Sequence, residues 1–227
     1  MQPFVVATGN PDKAREIVEI FSARGSIPLA AAVIEARDGA PIGFVCASLD
    51  EIGAVVGRIA RPEHAPDVAE IGTTLEANAR IKAVGVATAL GVPAIADDTG
   101  LEVDALGGAP GVRSARFAGP DATSADNCDM LLTEMRLRMR ASRTARFVTI
   151  VIRHDPANGA ETVVRGTVEG VIVDEPRGDH GFGYDPVFAP AGGAGRTFGE
   201  MTADEKHAIS HRGRAFRALA AALAGED

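Results

Sequence analysis

The chain has 227 residues, 46% of them hydrophobic and 24% charged, which fits one large α/β domain or two small lobes sharing a cleft around a substantial core. The formal net charge is −8, and aromatic residues make up 4%, with no Trp and a single Tyr, Tyr184. A nucleic-acid binder needs a basic face or stacked rings, so composition argues against that class, whereas a polyphosphate ligand stays open, because a metal and a few local cations reverse the field within one site.

Gln2 and Pro3 lead straight into an apolar run, so no leader is expected, and every long apolar stretch is broken by Gly, Pro or charge, so no membrane span is expected either. Cys46 and Cys128 have neither zinc spacing nor disulfide density and read as small buried apolar residues or neutral surface thiols, with a reducing cytoplasm as the expected setting. Phe4 to Ala7 predicts a strand, closed by the turn residues Thr8-Gly9-Asn10-Pro11. Ala14, Ile17, Val18, Ile20 and Phe21 then recur at helical spacing, with Asn10 as N-cap and Pro11 as first helical residue. From about Ala30 to Ala69 the glycines, prolines and mixed apolar runs predict strand and short helix in a partly irregular insertion. Thr73 or Thr74 caps a helix from Leu75 to about Leu90, stopped by Gly91 and Pro93. Ala94 to Ala96 reads as a short buried strand entering Asp97-Asp98-Thr99-Gly100, and Gly107 to Gly111 as a rigid turn. Asn127 to Arg140 predicts an amphipathic helix with Met130, Leu131, Met135 and Met139 on its apolar side. Phe147 to Ile152 and Thr162 to Val173 predict a strand pair across Pro156 to Gly159. A glycine-rich loop follows from Gly178 to Pro190. Thr202 to Glu205 is a capping box, and Ser210 caps a last helix to Leu223.

Five groups of residues carry chemistry. Thr8, Gly9, Asn10, Pro11, Asp12 and Lys13 lie between a strand and a helix start, where first-turn N–H groups, the helix dipole and Lys13 favour an anion; the same string also makes an ordinary capped helix with a surface Lys. No G-x-x-x-x-G-K-[ST] string occurs, which removes the P-loop enzymes. Asp97 and Asp98 follow a buried strand, and oxygen ligands there suit Mg²⁺ or Mn²⁺, although Asp-Asp-Thr-Gly equally suits a solvated turn. Glu70 precedes the 75–90 helix, and Asn78 and Lys82 share one of its faces, either as ligands or as a solvated polar stripe. Phe182, Gly183, Tyr184 and Asp185 place two aromatic rings among glycines, as a platform for a flat base or as a bulge with a buried Phe. Lys206, His211 and Arg212 gather donors for keto or phosphate oxygens, whereas His207 reads as a surface residue and His64, His154 and His180 carry no role.

Six strings in order resemble the non-canonical purine NTP pyrophosphatase family, also called inosine triphosphate pyrophosphatases. They are Ala7 to Glu16, Glu76 to Ala83, Pro93 to Leu101, Leu106 to Arg116, Gly181 to Pro186 and Ile209 to Arg212. The resemblance implies an elongated α/β fold with a central twisted mixed sheet, flanking helices and a long cleft between two lobes, usually in a homodimer. It implies that residues 1–227 form a single pyrophosphatase domain. It further implies that Thr8 to Lys13 hold phosphate, that Glu70 and Asp98 bind Mg²⁺ (with Mn²⁺ as the other candidate), and that Asp98 is the general base with Asp97 in support. Lys82 and Asn78 would neutralise and orient the triphosphate, Phe182 to Asp185 would cradle the base, and Lys206, His211 and Arg212 would read its keto edge. ITP, dITP and XTP are the implied substrates; a broader pyrophosphatase and a non-catalytic nucleotide sensor are the competing readings. Thr99 stands where the family more often has Ser, and its hydroxyl still reaches phosphate. The stretch from about Glu35 to Pro66 reads as an insertion of roughly 30 residues, a length that is uncommon without regular structure.

Overall fold

The computed structural model describes residues 4–8, 10–22, 29–35, 41–48, 68–138 and 141–224. Among the described residues seven strands form one sheet: β1 (Phe4–Val6), β2 (Leu29–Glu35), β3 (Pro41–Ser48), β4 (Ala94–Val103), β5 (Thr144–His154), β6 (Glu161–Ile172) and β7 (Phe188–Pro190). Their spatial order is β2-β3-β1-β4-β5-β6-β7. The sheet is mixed: β1 runs parallel to β4, with Val5 opposite Ala94, and antiparallel to β3, with Val5 opposite Val45. Among the described residues five α-helices accompany it: α1 (Pro11–Ser22), α2 (Leu75–Leu90), α3 (Ser124–Leu137), α4 (Ala203–Ile209) and α5 (His211–Ala224). The α/β class with a mixed sheet and helices is therefore the one expected. Of the insertion expected at about 35–66, Glu35 and Pro41–Ser48 fall within described strands and the remainder lies outside the described residues. Met139 and Arg140 lie outside them as well.

Local chemistry sets the helix ends. The Asn10 side chain accepts from the Asp12 and Lys13 amides at 2.9 and 3.2 Å and so caps α1. Thr74 caps α2 by accepting from the Ala77 amide, and Gly91 closes that helix in the left-handed conformation, φ 66°. Thr202 and Glu205 form the reciprocal box at α4, and the Ser210 hydroxyl accepts from the Gly213 amide at the start of α5. Two sequence expectations need correction here. The 94–96 strand extends to Val103, so Asp97 to Gly100 are strand rather than turn; pairing with a neighbour outweighs local turn propensity. Helix α3 begins at Ser124 rather than Asn127, because Thr123 and Asp126 cap it reciprocally. Along this helix Cys128, Leu131, Leu132 and Met135 face inward, whereas Met130, expected on the apolar side, is exposed because its spacing places it off that stripe.

The chain divides into two compact units. The first holds residues 1–98, 150–165 and 215–227, and the second 99–149 and 166–214. The core of the first joins Phe4 and Val6 of β1, Ile17 and Ile20 of α1, Ile95, Val151 and Phe216, Leu219 and Leu223 of α5. The core of the second joins Leu101 and Val103, the inward face of α3, Phe147, Val168, Ile172, Tyr184, Val187, Phe188 and Phe198.

Candidate active site

In the first unit, the acidic and basic candidates gather around the end of the β4 segment that belongs to it. Asp97 and Asp98 are buried. The Lys13 ammonium lies 3.4 Å from Asp97 Oδ2. The Lys82 ammonium lies 2.9 Å from Glu70 Oε1 and 3.6 Å from Asp98 Oδ1, so two carboxylates converge on one positive charge. Burial pushes the Asp98 carboxyl above its ordinary range; Lys82 and Lys13 oppose that shift, while Glu70 and Asp97 add to it. The Lys82 ammonium is held above its ordinary value, because Asp97, Asp98 and Glu70 together outweigh a desolvation cost that is larger than any one of them.

Segment 68–72 brings Glu70 to this cluster by lying close along α2. A Cβ at Gly85 would stand 2.9 Å from Val68 Cγ2, and a Cβ at Gly72 would stand 2.5 Å from Asn78 Oδ1. Glycine at both places lets segment and helix approach. Asn78 is fully buried; its Oδ1 accepts from the Gly72 amide at 2.7 Å and its Nδ2 donates to Asp98 Oδ2 at 3.2 Å.

Of the first candidate string, Thr8 is buried and accepts from the Asn10 amide at 3.2 Å, while Gly9 lies outside the described residues. The Asp12 and Lys13 amides already donate to Asn10, so anion attraction there rests on the helix dipole and the Lys13 side chain. Asp12 itself lies 3.6 Å from Arg15 on the helix surface.

Among the described residues no three His, Cys, Asp or Glu side chains form a ready metal cage. The donor set nevertheless fits a hard divalent cation, which commonly takes one or two carboxylates and completes its shell with water and substrate phosphate. Here the Lys82 ammonium stands as a point charge between the two oxygens that such an ion would use, Glu70 Oε1 and Asp98 Oδ1.

In the second unit, the remaining candidates form a buried polar group. Lys206 donates to Asp185 Oδ2 at 2.6 Å, and the Phe182 amide donates to the same oxygen at 2.8 Å. Gly181, at φ 74°, lies so close to Asp185 that a side chain there would collide with the carboxylate. The Lys206 ammonium sits 4.8 Å and the Arg212 guanidinium 5.4 Å from the Phe182 ring centre. Arg212 also donates to Thr99 Oγ1 at 3.2 Å, and the Thr99 and Thr149 hydroxyls are 2.7 Å apart. His211 stacks on Phe147 at 4.5 Å with 17° between planes.

Tyr184 departs from the stacking platform expected of it. Its ring belongs to the core, and its hydroxyl donates to the Ser114 carbonyl at 2.9 Å. Phe182 is half-buried and so the more exposed of the two rings, and Gly183 between them takes a left-handed φ of 63°. His207 is buried rather than on the surface. Sequence reasoning missed Ser114, Thr149 and Gly72. Ser114 accepts from the Leu101 amide and donates to the Gly111 carbonyl, so it ties β4 to the 107–116 loop. Nothing local in its Val-Arg-Ser-Ala-Arg context signals that role.

The Ham1 family profile matches residues 4–222. A dITP/XTP pyrophosphatase of Chlorobaculum tepidum is 44% identical over 232 aligned residues, spanning 95% of this chain and 90% of that protein. The protein of the same name from Thermus thermophilus is 43% identical, over 95% of this chain and 88% of its own length. Among solved structures, the Staphylococcus aureus Ham1 protein superposes with a TM-score of 0.73 at 33% identity, across 99% of both chains. A HAM1 protein from Coxiella burnetii gives a TM-score of 0.68 at 36% identity, over 78% of this chain and 95% of its own.

Proposed function

The chain belongs to the Ham1 family, and we propose that it is a divalent-metal-dependent pyrophosphatase that cleaves ITP, dITP and XTP to the monophosphate and pyrophosphate. Its cellular role on this reading is to remove deaminated purine nucleotides before they enter nucleic acid. The observation that carries it is the convergence of Glu70 and Asp98 on Lys82, with Lys13 against Asp97. The activity for which the Chlorobaculum tepidum and Thermus thermophilus relatives are named points the same way.

Glu70 and Asp98 would hold Mg²⁺ or Mn²⁺, which supplies charge neutralisation at phosphate and acidifies a bound water. Asp98, its carboxyl raised by burial, accepts the proton of the attacking water. The water oxygen bonds to the α-phosphorus, the bond from that phosphorus to the αβ-bridging oxygen breaks, and pyrophosphate leaves. Lys82 and Lys13 offset the charge that develops on it. Phe182 meets the base, and donors from Lys206, His211 and Arg212 are aimed at a 6-keto oxygen. A 6-amino group in that place leaves donors unpaired, at a cost of about 1–3 kcal/mol each. The reading includes residues 1–227 as one domain, its 35–66 insertion included, acting as a homodimer in the cytoplasm.

The test is pyrophosphate release from ITP, dITP, XTP, GTP, ATP and dUTP, with Mg²⁺ and with EDTA. Metal-dependent release from ITP, dITP and XTP, with weak release from ATP and GTP, is expected. Equal turnover of all six would replace the base-selective reading by a broad pyrophosphatase; no turnover of any would leave a nucleotide sensor.

A further inference from the structure

We infer that Asn78 is a positioning residue which ties the Glu70 segment to Asp98, and that its side chain is not itself a nucleotide ligand. The inference rests on the pyrophosphatase reading above and changes the role expected for this residue, which the sequence places on the triphosphate. A triphosphate ligand must reach solvent, whereas Asn78 is 0% exposed. Both ends of its amide are engaged within the protein: Oδ1 holds the Gly72 amide and Nδ2 holds Asp98 Oδ2. The bridge thus runs from the backbone two residues beyond Glu70 to the carboxylate that faces Lys82. Because Asp98 Oδ2 faces the amide, Oδ1 is the oxygen turned toward Lys82, at 3.6 Å.

The fit is built from two sides. Gly72 is the residue at which any side chain would displace the amide, since a Cβ would stand 2.5 Å from Asn78 Oδ1. At the other end of the segment, Gly85 admits Val68 against α2. Glu70 is held between these two close approaches and meets Lys82 at 2.9 Å. Between these two contacts Ala69, Glu70 and Ile71 are exposed, Ile71 at 81%. Without the Asn78 bridge the Glu70 carboxylate would sample positions away from Asp98, and Asp98 would lose the donor that orients it. Side chains that orient metal ligands in this manner affect metal affinity first.

Asn78→Ala and Gly72→Ala test this, the second keeping the amide but pushing it from its place. Mn²⁺ affinity of the nucleotide-free protein is read by electron paramagnetic resonance, and ITP affinity in EDTA by calorimetry, both independent of turnover. The expected result is Mn²⁺ affinity weakened roughly 10- to 100-fold in both variants, with metal-free ITP affinity unchanged within the error of the measurement. Loss of metal-free ITP affinity, alone or together with the metal, would make Asn78 a nucleotide ligand and overturn the inference; unchanged Mn²⁺ affinity would overturn it too. Should Asn78→Ala fail to fold, Gly72→Ala reads the same two affinities. Wild-type turnover of ITP is measured alongside: its absence defeats the pyrophosphatase reading, whereas normal wild-type turnover with unaltered Mn²⁺ affinity in the variants defeats only this one.

Discussion

Asp98 combines burial, two nearby lysines and an amide donor at one carboxylate. Replacing it by Asn keeps the volume and removes the proton acceptor. Asp98→Asn is therefore expected to lower kcat for ITP by about 10²- to 10⁴-fold, with circular dichroism unchanged; near-normal turnover would remove Asp98 from the role of base. Cys128 makes the opposite case, a reactive residue type kept inert. Burial, aided by Asp129 and Asp185, pushes its thiol up to about 12, and its Sγ donates to the Gly183 carbonyl at 3.3 Å. In the native protein Cys128 is expected to stay unmodified by a thiol reagent at neutral pH and to react once unfolded, as peptide mapping by mass spectrometry would show.

Helix caps carry the predictions at the level of elements. Glu205 pairs with Arg196 at 2.9 Å and receives the Thr202 amide, and these interactions, Arg196 above all, hold its carboxyl well below the ordinary value, at about 2. The ionised form is the one the fold favours, so its contribution is complete above the unfolded value near 4.5 and disappears as pH falls toward about 2. The difference in Tm between the wild type and Glu205→Gln should shrink across that window; a constant difference would show that the charge is immaterial. At α3, Thr123→Ala removes one side of a capping box and should cost about 1 kcal/mol in chemical denaturation. Caps of this kind are legible in a sequence when the pattern is short-range, as with Asn10, Thr74, Thr202 and Ser210. What escaped was decided at a distance. Asp97 to Gly100 has turn chemistry yet becomes strand, because β4 runs on beyond its pairing with β1 at Ala94 and Ile95 and has β5 as its other neighbour in the sheet. Tyr184 is buried by an acceptor 70 residues away, and Glu70 reaches Lys82 through two glycines whose purpose shows only once the helix they touch is in place. The candidate residues were identifiable because short strings carried them; the use of each amide and hydroxyl was not.

For the molecule as a whole, the telling fact is that each unit has its own apolar core while β4, β5 and β6 each continue from one unit into the other. The covalent continuity of these strands makes separate melting costly, since opening one core frays strands that run on into the other. Phe216→Ala and Phe188→Ala, one in each core, should each cost about 3–5 kcal/mol and lower the same single thermal transition. Two resolved transitions in calorimetry would show independent units instead.

The boundary between the units falls at the peptide bond from Asp98 to Thr99, so the carboxylate proposed to take a proton and the hydroxyl that joins Arg212 are chain neighbours. Anyone seeking to redirect this protein toward another base would thus find β4 a poor place to begin, because a change that shifts Thr99 also drags Asp98 with it. The loop from Gly181 to Asp185 offers freer ground: its sequence can be rewritten around Phe182 while the residues proposed to act on the phosphates stay on another stretch of chain.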